Sequence, residues 1–250
     1  MFVKKRLAIG VVVAIVAGAG PAAADVVFTD NTMNLADYSA SPTFTSDPSV
    51  SLVDSNPASP LDTLQFTATF SKPGNPPIYS TALGLTNNAF LYDPSIDGAI
   101  GSVDASVFKN AITGFTGIGF GNTFRPTILQ DGVYYSAAIP GATFNGPNTP
   151  GGTGFNLFSQ PGLGASAFLA YDFTTGAFGT AHPDFDGDPM LFGLTQITTV
   201  GSTETSTFVT QYQDLSFDIH GAPEPDSLAL LGASLLGLFV LRLGRRRPLF

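Results

Sequence analysis

Asp184-Phe185-Asp186-Gly187-Asp188 sets three carboxylates at alternate positions. Such a run can converge on a hard cation, and Ca²⁺ is the ion an all-oxygen site of this kind would take as its cofactor. It is not an EF-hand loop. Pro189 stands where the obligatory glycine belongs, and Thr195 where the bidentate glutamate belongs. The competing reading is a solvated Asp/Gly/Pro turn between strands. Asp93 and Asp97, in Tyr92-Asp93-Pro94-Ser95-Ile96-Asp97-Gly98, invite the same two readings. His182 and His220 are the only histidines. Either could join a serine and an aspartate in a hydrolase, but the Gly-x-Ser-x-Gly turn is absent, and that turn needs a strand–turn–helix setting. His220 reads as a surface residue of the last strand and His182 as a loop residue before Pro183. Their spacing gives no support to a zinc site. Glycosidases use a pair of carboxylates. Glu204 is the only glutamate between positions 25 and 222, so at least one partner would be an aspartate that the sequence does not single out. Sugars also stack on aromatic rings. With no tryptophan, the surfaces on offer are Tyr79, Tyr134, Tyr135, Tyr171 and Tyr212, each equally at home in cross-strand packing. Arg125 either pairs with an aspartate or meets an anionic sugar.

The charge around these residues is unevenly spread. The 250 residues hold 10 Lys+Arg and 19 Asp+Glu, a net charge of −9. Seven of the ten cations sit at the two ends. From Asp25 to Ala222 seventeen acids face only Lys72, Lys109 and Arg125, a net charge of −14. That balance excludes nucleic acid as a partner, because phosphate contacts need a basic surface. The absence of cysteine excludes disulfides, thiolate metal sites and a cysteine nucleophile.

The basic ends have the form of targeting segments. Residues 1–24 read as a signal peptide, in which Lys4, Lys5 and Arg6 precede the apolar run Leu7–Gly20. Pro21 then ends the run, and Ala22 and Ala24 supply the small residues of a cleavage site before Asp25. Signal peptidase and the translocon are the partners this implies. At the other end, Pro223-Glu224-Pro225 precedes a charge-free run, Leu228–Leu241, followed by Arg242, Arg245, Arg246 and Arg247. Fourteen helical residues reach roughly 21 Å, short of a hydrocarbon core of about 30 Å, so Arg242 must snorkel to help the run span. Arginines beside an apolar helix stay cytoplasmic. The acidic body is therefore the part expected outside the inner membrane.

The order Pro-Glu-Pro, polar spacer, short apolar helix and arginine cluster over residues 223–250 resembles the PEP-CTERM sorting signal. The resemblance implies recognition by an exosortase, a membrane cysteine protease, in a host that makes exopolysaccharide and often biofilm. It also implies a transient inner-membrane anchor and a final place at the cell surface or outside the cell. Two prolines around Glu224 hold the motif extended, as a protease substrate needs.

The body that carries the candidate residues must then be placed by strands. Leu64-Gln65-Phe66-Thr67-Ala68-Thr69-Phe70 alternates apolar and polar, as does Leu215–His220. Asp131-Gly132 between Thr127–Gln130 and Val133–Ile139 is a hairpin signal, since both turn positions need φ > 0. Further strands are expected at Ala167–Phe173, Leu191–Thr199 and Thr207–Tyr212, with weaker ones at Ala82–Leu85, Ala89–Tyr92, Ser102–Phe108 and Gly117–Phe120. Pro140–Gly164, with four prolines and seven glycines, reads as a long irregular loop. About ten to twelve short strands predict one all-β domain over 25–222, a two-sheet sandwich of the jelly-roll type, with a signal helix before it and a short transmembrane helix after it. Scattered segments strengthen this: Asp25–Phe28, Asn34–Tyr38, Phe124–Pro126 leading to Gln130–Tyr135, His182–Phe185 with Phe192–Leu194, and Asp214–Ile219. They resemble concanavalin/laminin-G-type jelly rolls of exported proteins. The expectation is a non-enzymatic surface or matrix protein with a structural or adhesive role in exopolysaccharide. The alternatives are a glycan-binding module, with Ca²⁺ as a cofactor if one is needed, and a secreted hydrolase.

Overall fold

Along Leu64–Phe70 the side chains alternate strictly between buried and half-buried, with Leu64, Phe66, Ala68 and Phe70 inward. This is the period of two expected of a strand with one face on a core. The computed structural model describes residues 25–45, 49–54, 63–70, 79–113, 120–137, 142–145, 155–200 and 205–222. Several expectations fall outside them: the signal segment with Ala22 and Ala24, Glu204, the Pro223–Pro225 motif, the apolar run 228–241 and the terminal arginines. The side chain of Tyr79 does too. Among the described residues no helix is long and apolar enough to cross a membrane.

The described residues form fifteen strands, one four-residue α-helix and two three-residue 3₁₀ helices, Leu35–Asp37 and Ala165–Ala167. In chain order the strands are β1 (Val26–Asp30), β2 (Tyr38–Ala40), β3 (Phe44–Thr45), β4 (Ser49–Asp54), β5 (Leu64–Phe70), β6 (Tyr79–Tyr92), β7 (Ile100–Thr113) and β8 (Phe120–Gln130). They continue with β9 (Val133–Ala137), β10 (Ala142–Asn145), β11 (Asn156–Leu163), β12 (Phe168–Asp172), β13 (Ala177–Phe178), β14 (Met190–Val200) and β15 (Ser206–Gly221). Helix α1 (Pro94–Asp97) joins β6 to β7. The protein is all-β, with two antiparallel sheets. The first runs β11-β7-β15-β5-β4, with β1 lying beside β15 as well. The second runs β13-β12-β9-β8-β14-β6-β2, with β10 on β8 and β3 on β6.

The inward faces of the sheets meet in a phenylalanine-rich core. Phe28 stacks on Phe90 at 5.2 Å, and Phe192 meets Phe217 at 5.3 Å. Phe66, Phe124, Phe168, Phe192, Phe208 and Phe217 are almost wholly enclosed. Each such ring contributes about 1.5–3 kcal/mol by leaving water, and ring pairs add about 0.5–1.5 kcal/mol more.

Two strands are longer than the sequence patterns suggest, because bulges join segments that read separately. β15 unites Thr207–Tyr212 with Leu215–His220 through a register shift between Gln213 and Ser216, where Asp214 takes a φ of 49°. β6 unites Ala82–Leu85 with Ala89–Tyr92 through a shift opposite Leu191 and Gly193. A bulge resets which face the alternation serves, so the period of two breaks while the strand continues. The Pro140–Gly164 loop expectation is corrected in part: β10 and the whole of β11 form there. Pro161 and Gly162 are tolerated because β11 is an edge strand with a shift between Gln160 and Leu163, and Gly162 has a φ of 68°. The Asp131-Gly132 turn joins β8 and β9 as expected, with φ of 52° and 76°.

Candidate binding site

The outward face of the second sheet carries its own small hydrophobic cluster, apart from the main core. Ala82, Tyr171 and Phe173 are buried in it, with Phe44, Tyr134 and Ile197 packed against them. Alternation puts these residues there. Leu83, Tyr135 and Phe168, on the same strands, face the main core. Phe173 meets Tyr134 at 5.3 Å and Tyr171 at 4.8 Å, both edge to face, and Tyr171 meets Phe178 at 4.9 Å. Gly84 permits this. A β-carbon there would lie 2.7 Å from Cζ of Phe173. Beside the rings, the hydroxyls of Thr127, Ser136 and Thr195 close a buried triangle with edges of 2.7, 2.9 and 3.1 Å.

A cavity of about 340 Å³ opens against this cluster. Tyr134, Tyr171 and Phe173 wall it, Asp172 and Thr174 supply its polar edge, and Pro42, Gly132, Val133, Ala170 and Gly179 complete it. The volume lies at the small end of the range for small-molecule sites, roughly 300–1,000 Å³. Asp172 is fixed by its own turn. Its Oδ1 accepts from the backbone N–H and hydroxyl of Thr174, at 2.7 and 2.5 Å, and Oδ2 from the hydroxyl of Thr175 at 2.9 Å. Hydrogen bonds from Thr174, then Thr175, hold the carboxyl down at about 2, so it is ionised at any ordinary pH. Burial, partly offset by the nearby Arg125 charge, pushes the Tyr171 phenol up to about 12. Burial likewise raises Tyr134.

Of the five tyrosines named from sequence, the structure brings Tyr134 and Tyr171 together. Tyr135 packs on the main core, and Tyr212 is fully buried within it. Phe173, Asp172 and Thr174 escaped sequence reading. The signal was Tyr171-Asp172-Phe173-Thr174-Thr175-Gly176, an aspartate-led turn between two aromatics. Arg125 lies over the Phe178 ring at 4.9 Å and donates to the carbonyl of Ala137.

The other candidates serve local structure. Among the described residues no three His, Asp or Glu side chains are grouped to hold a metal ion. Asp184, Asp186 and Asp188 belong to an exposed turn held by Gln130. The Gln130 Nε2 donates to the carbonyls of Asp184 and Asp188 at 2.9 and 2.7 Å, and its Oε1 accepts from the Asp184 N–H. Asp184 Oδ1 caps the Asp186 N–H instead of turning toward its two neighbours. The Ca²⁺ expectation therefore finds no geometry to carry it. Asp93 caps α1 through Ser95, and Asp97 accepts from the Asp93 N–H. His182 Nδ1 lies 2.7 Å from the carbonyl of Phe168. His220 stands among Asp25, Asp104 and Asp218 at 3.5–3.9 Å.

No family model matches the chain, and no curated protein matches it. Among solved structures it is similar to a xylan-binding domain of carbohydrate-binding module family 22, at 11% identity and TM-score 0.33, over 79% of this chain and 96% of that one. The C-terminal family 22 module of Clostridium thermocellum Xyn10B gives 11% and 0.34, over 79% and 96%. A protein described as a candidate β-glucanase from Mycobacterium abscessus gives 12% and 0.30, over 77% and 99%. At these values the likeness assigns neither a function nor any residue.

Proposed function

We propose that the protein is an exported β-sandwich that binds glycan through the aromatic cavity on its second sheet. The observation that carries this reading is the cavity itself, with three ring walls and a fixed polar edge. Apolar ring faces suit the C–H faces of a pyranose, and the carboxylate of Asp172 and hydroxyl of Thr174 suit its hydroxyls. The test is the affinity of the purified chain for a panel of soluble polysaccharides. At least one should bind, and Tyr134→Ala should weaken it roughly tenfold. Absence of binding across the panel, or binding indifferent to Tyr134→Ala, sinks the reading.

The route outward belongs to the same proposal. A signal peptide ending at Ala24 and a PEP-CTERM-like signal from Pro223 would deliver a jelly-roll-type body, without catalysis, to the cell surface or its matrix, where an exosortase processes the anchor. The described body supports the second boundary in one respect. β15 ends at Gly221, and the N–H of Ala222 donates to the carbonyl of Ala99 at 2.7 Å, so ordered pairing runs to the residue before the motif. Intact mass of the protein from protease-competent cells checks the route. A C-terminus still at Phe250 would overturn it.

A further inference from the structure

The cavity has an electrostatic signature that the glycan reading alone does not use. Among the described residues that line it, Asp172 is the only one with a charged side chain. Among the described residues no Lys, Arg or His forms an ion pair with it. Its geometry is set beforehand by Thr174 and Thr175, so its charge is in place without rearrangement. Tyr134, Tyr171 and Phe173 line the same cavity, and an aromatic ring attracts a cation over its negative face. The fixed carboxylate beside this aromatic lining favours a cation. An acidic sugar would meet Asp172 at close range within a body of net charge −14. Among the described residues the nearby cation is Arg125, whose charge acts on the Tyr171 phenol but whose guanidinium is turned to the Phe178 ring and the Ala137 carbonyl and does not line the cavity.

We infer that the cavity selects an amino sugar whose nitrogen is free and protonated, over its N-acetylated, neutral and acidic counterparts. This assignment rests on the glycan-binding reading. In it the ammonium sits between the Asp172 carboxylate and the ring walls, and the sugar ring lies along Tyr134.

The experiment compares four oligosaccharides on the purified full-length chain in detergent at about pH 6, where an amine is protonated. They are a glucosamine tetramer, its fully N-acetylated form, a glucose tetramer and a galacturonate tetramer. The glucosamine tetramer should bind at least about tenfold tighter than the other three. Asp172→Asn keeps an oxygen for Thr174 while removing the charge, and should abolish that preference. Asp218→Asn removes the same charge from the first sheet and should leave it unchanged. Tyr134→Leu, which spares the turn, should weaken the glucosamine tetramer as well. Equal binding of the amine and acetylated forms overturns the inference and leaves the glycan reading standing. Equal losses in Asp172→Asn and Asp218→Asn reduce the effect to general charge and overturn it too. If none of the four binds while another polysaccharide does, the amine assignment falls alone. If no polysaccharide binds, both readings fall.

Discussion

Lys109 is an ammonium-bearing side chain inside the sandwich. It is 2% exposed, donates to the carbonyl of Asn122 at 2.9 Å and lies 5.9 Å from the centre of the Phe158 ring. Tyr212 is its cross-strand neighbour. The Tyr212 hydroxyl and the Asn122 side-chain oxygen find no partner among the described residues. Burial drags the lysine down to about 7, against 10.5 when exposed. Between those values the unfolded chain binds a proton that the folded one does not, so stability should rise with pH across that window and level off above it. Below about 7 the folded protein carries the buried charge as a standing penalty. Lys109→Met should therefore raise stability at neutral pH, on the order of a few kcal/mol, and flatten the rise. Urea midpoints at several pH values measure both. An unchanged slope would mean that the lysine is solvated. Asp30 shows the opposite treatment of a buried charge. Burial alone would raise it, but hydrogen bonds from Tyr38, Met33 and Thr32 bring it below the usual carboxylate value, and Asn87 donates as well. Neither role was legible in sequence. A lone Lys or Asp in an alternating strand looks solvent-facing until the partner sheet is in place.

The elements were legible where one pattern ran unbroken. Leu64–Phe70 and the Asp131-Gly132 hairpin needed only alternation and two positive φ angles. The pattern failed at bulges, which are tertiary features. At the β6 bulge Asn87 Oδ1 accepts from the Ala89 N–H, and Gly193 of β14 faces the crowded strand. A β-carbon on Gly193 would stand 1.9 Å from the carbonyl oxygen of Leu85, which is backbone and cannot move aside. On Gly84 it would press on the end of the Phe173 ring at 2.7 Å and touch Ser41 Oγ at 3.4 Å, both side-chain atoms. Gly193→Ala should cost about 3 kcal/mol or more, and Gly84→Ala about 1 kcal/mol together with weaker ligand binding. Chemical denaturation ranks the two. A cost at Gly84 equal to that at Gly193 would show that Phe173 is as immobile as the backbone. The site was half legible for the same reason. Tyr134 and Tyr171 stood out as rings, but only the pairing of β9 with β12 sets them on one face beside Phe173.

At the scale of the molecule, the body begins and ends in one place. β1 and β15 are antiparallel neighbours, with Val26 opposite Ile219, and Asp25 lies 3.6 Å from His220. A hydrogen bond to Asp104, aided by the charges of Asp218, Asp104 and Asp25, raises the His220 value above 6.5. That pairing supports folding fully below about pH 6.5 and is lost as pH rises through the raised value. Protection factors of the β1 amides, corrected for the intrinsic pH dependence of exchange, should fall over that rise, and Asp104→Asn should move the onset lower. Protection factors that ignore pH would detach His220 from the stability of this edge. The arrangement of ends also decides how the protein bears load. β15 is interior, bonded along β7 on one side and along β5 and β1 on the other. If the chain is anchored beyond Ala222 and a polymer pulls at the second sheet, tension enters along β15 and is resisted by two ladders in shear, all bonds sharing the force at once. Tension between Asp25 and Ala222 would instead peel β1 from β15 one bond at a time. The same fold is stiff toward a ligand and weak between its own two ends.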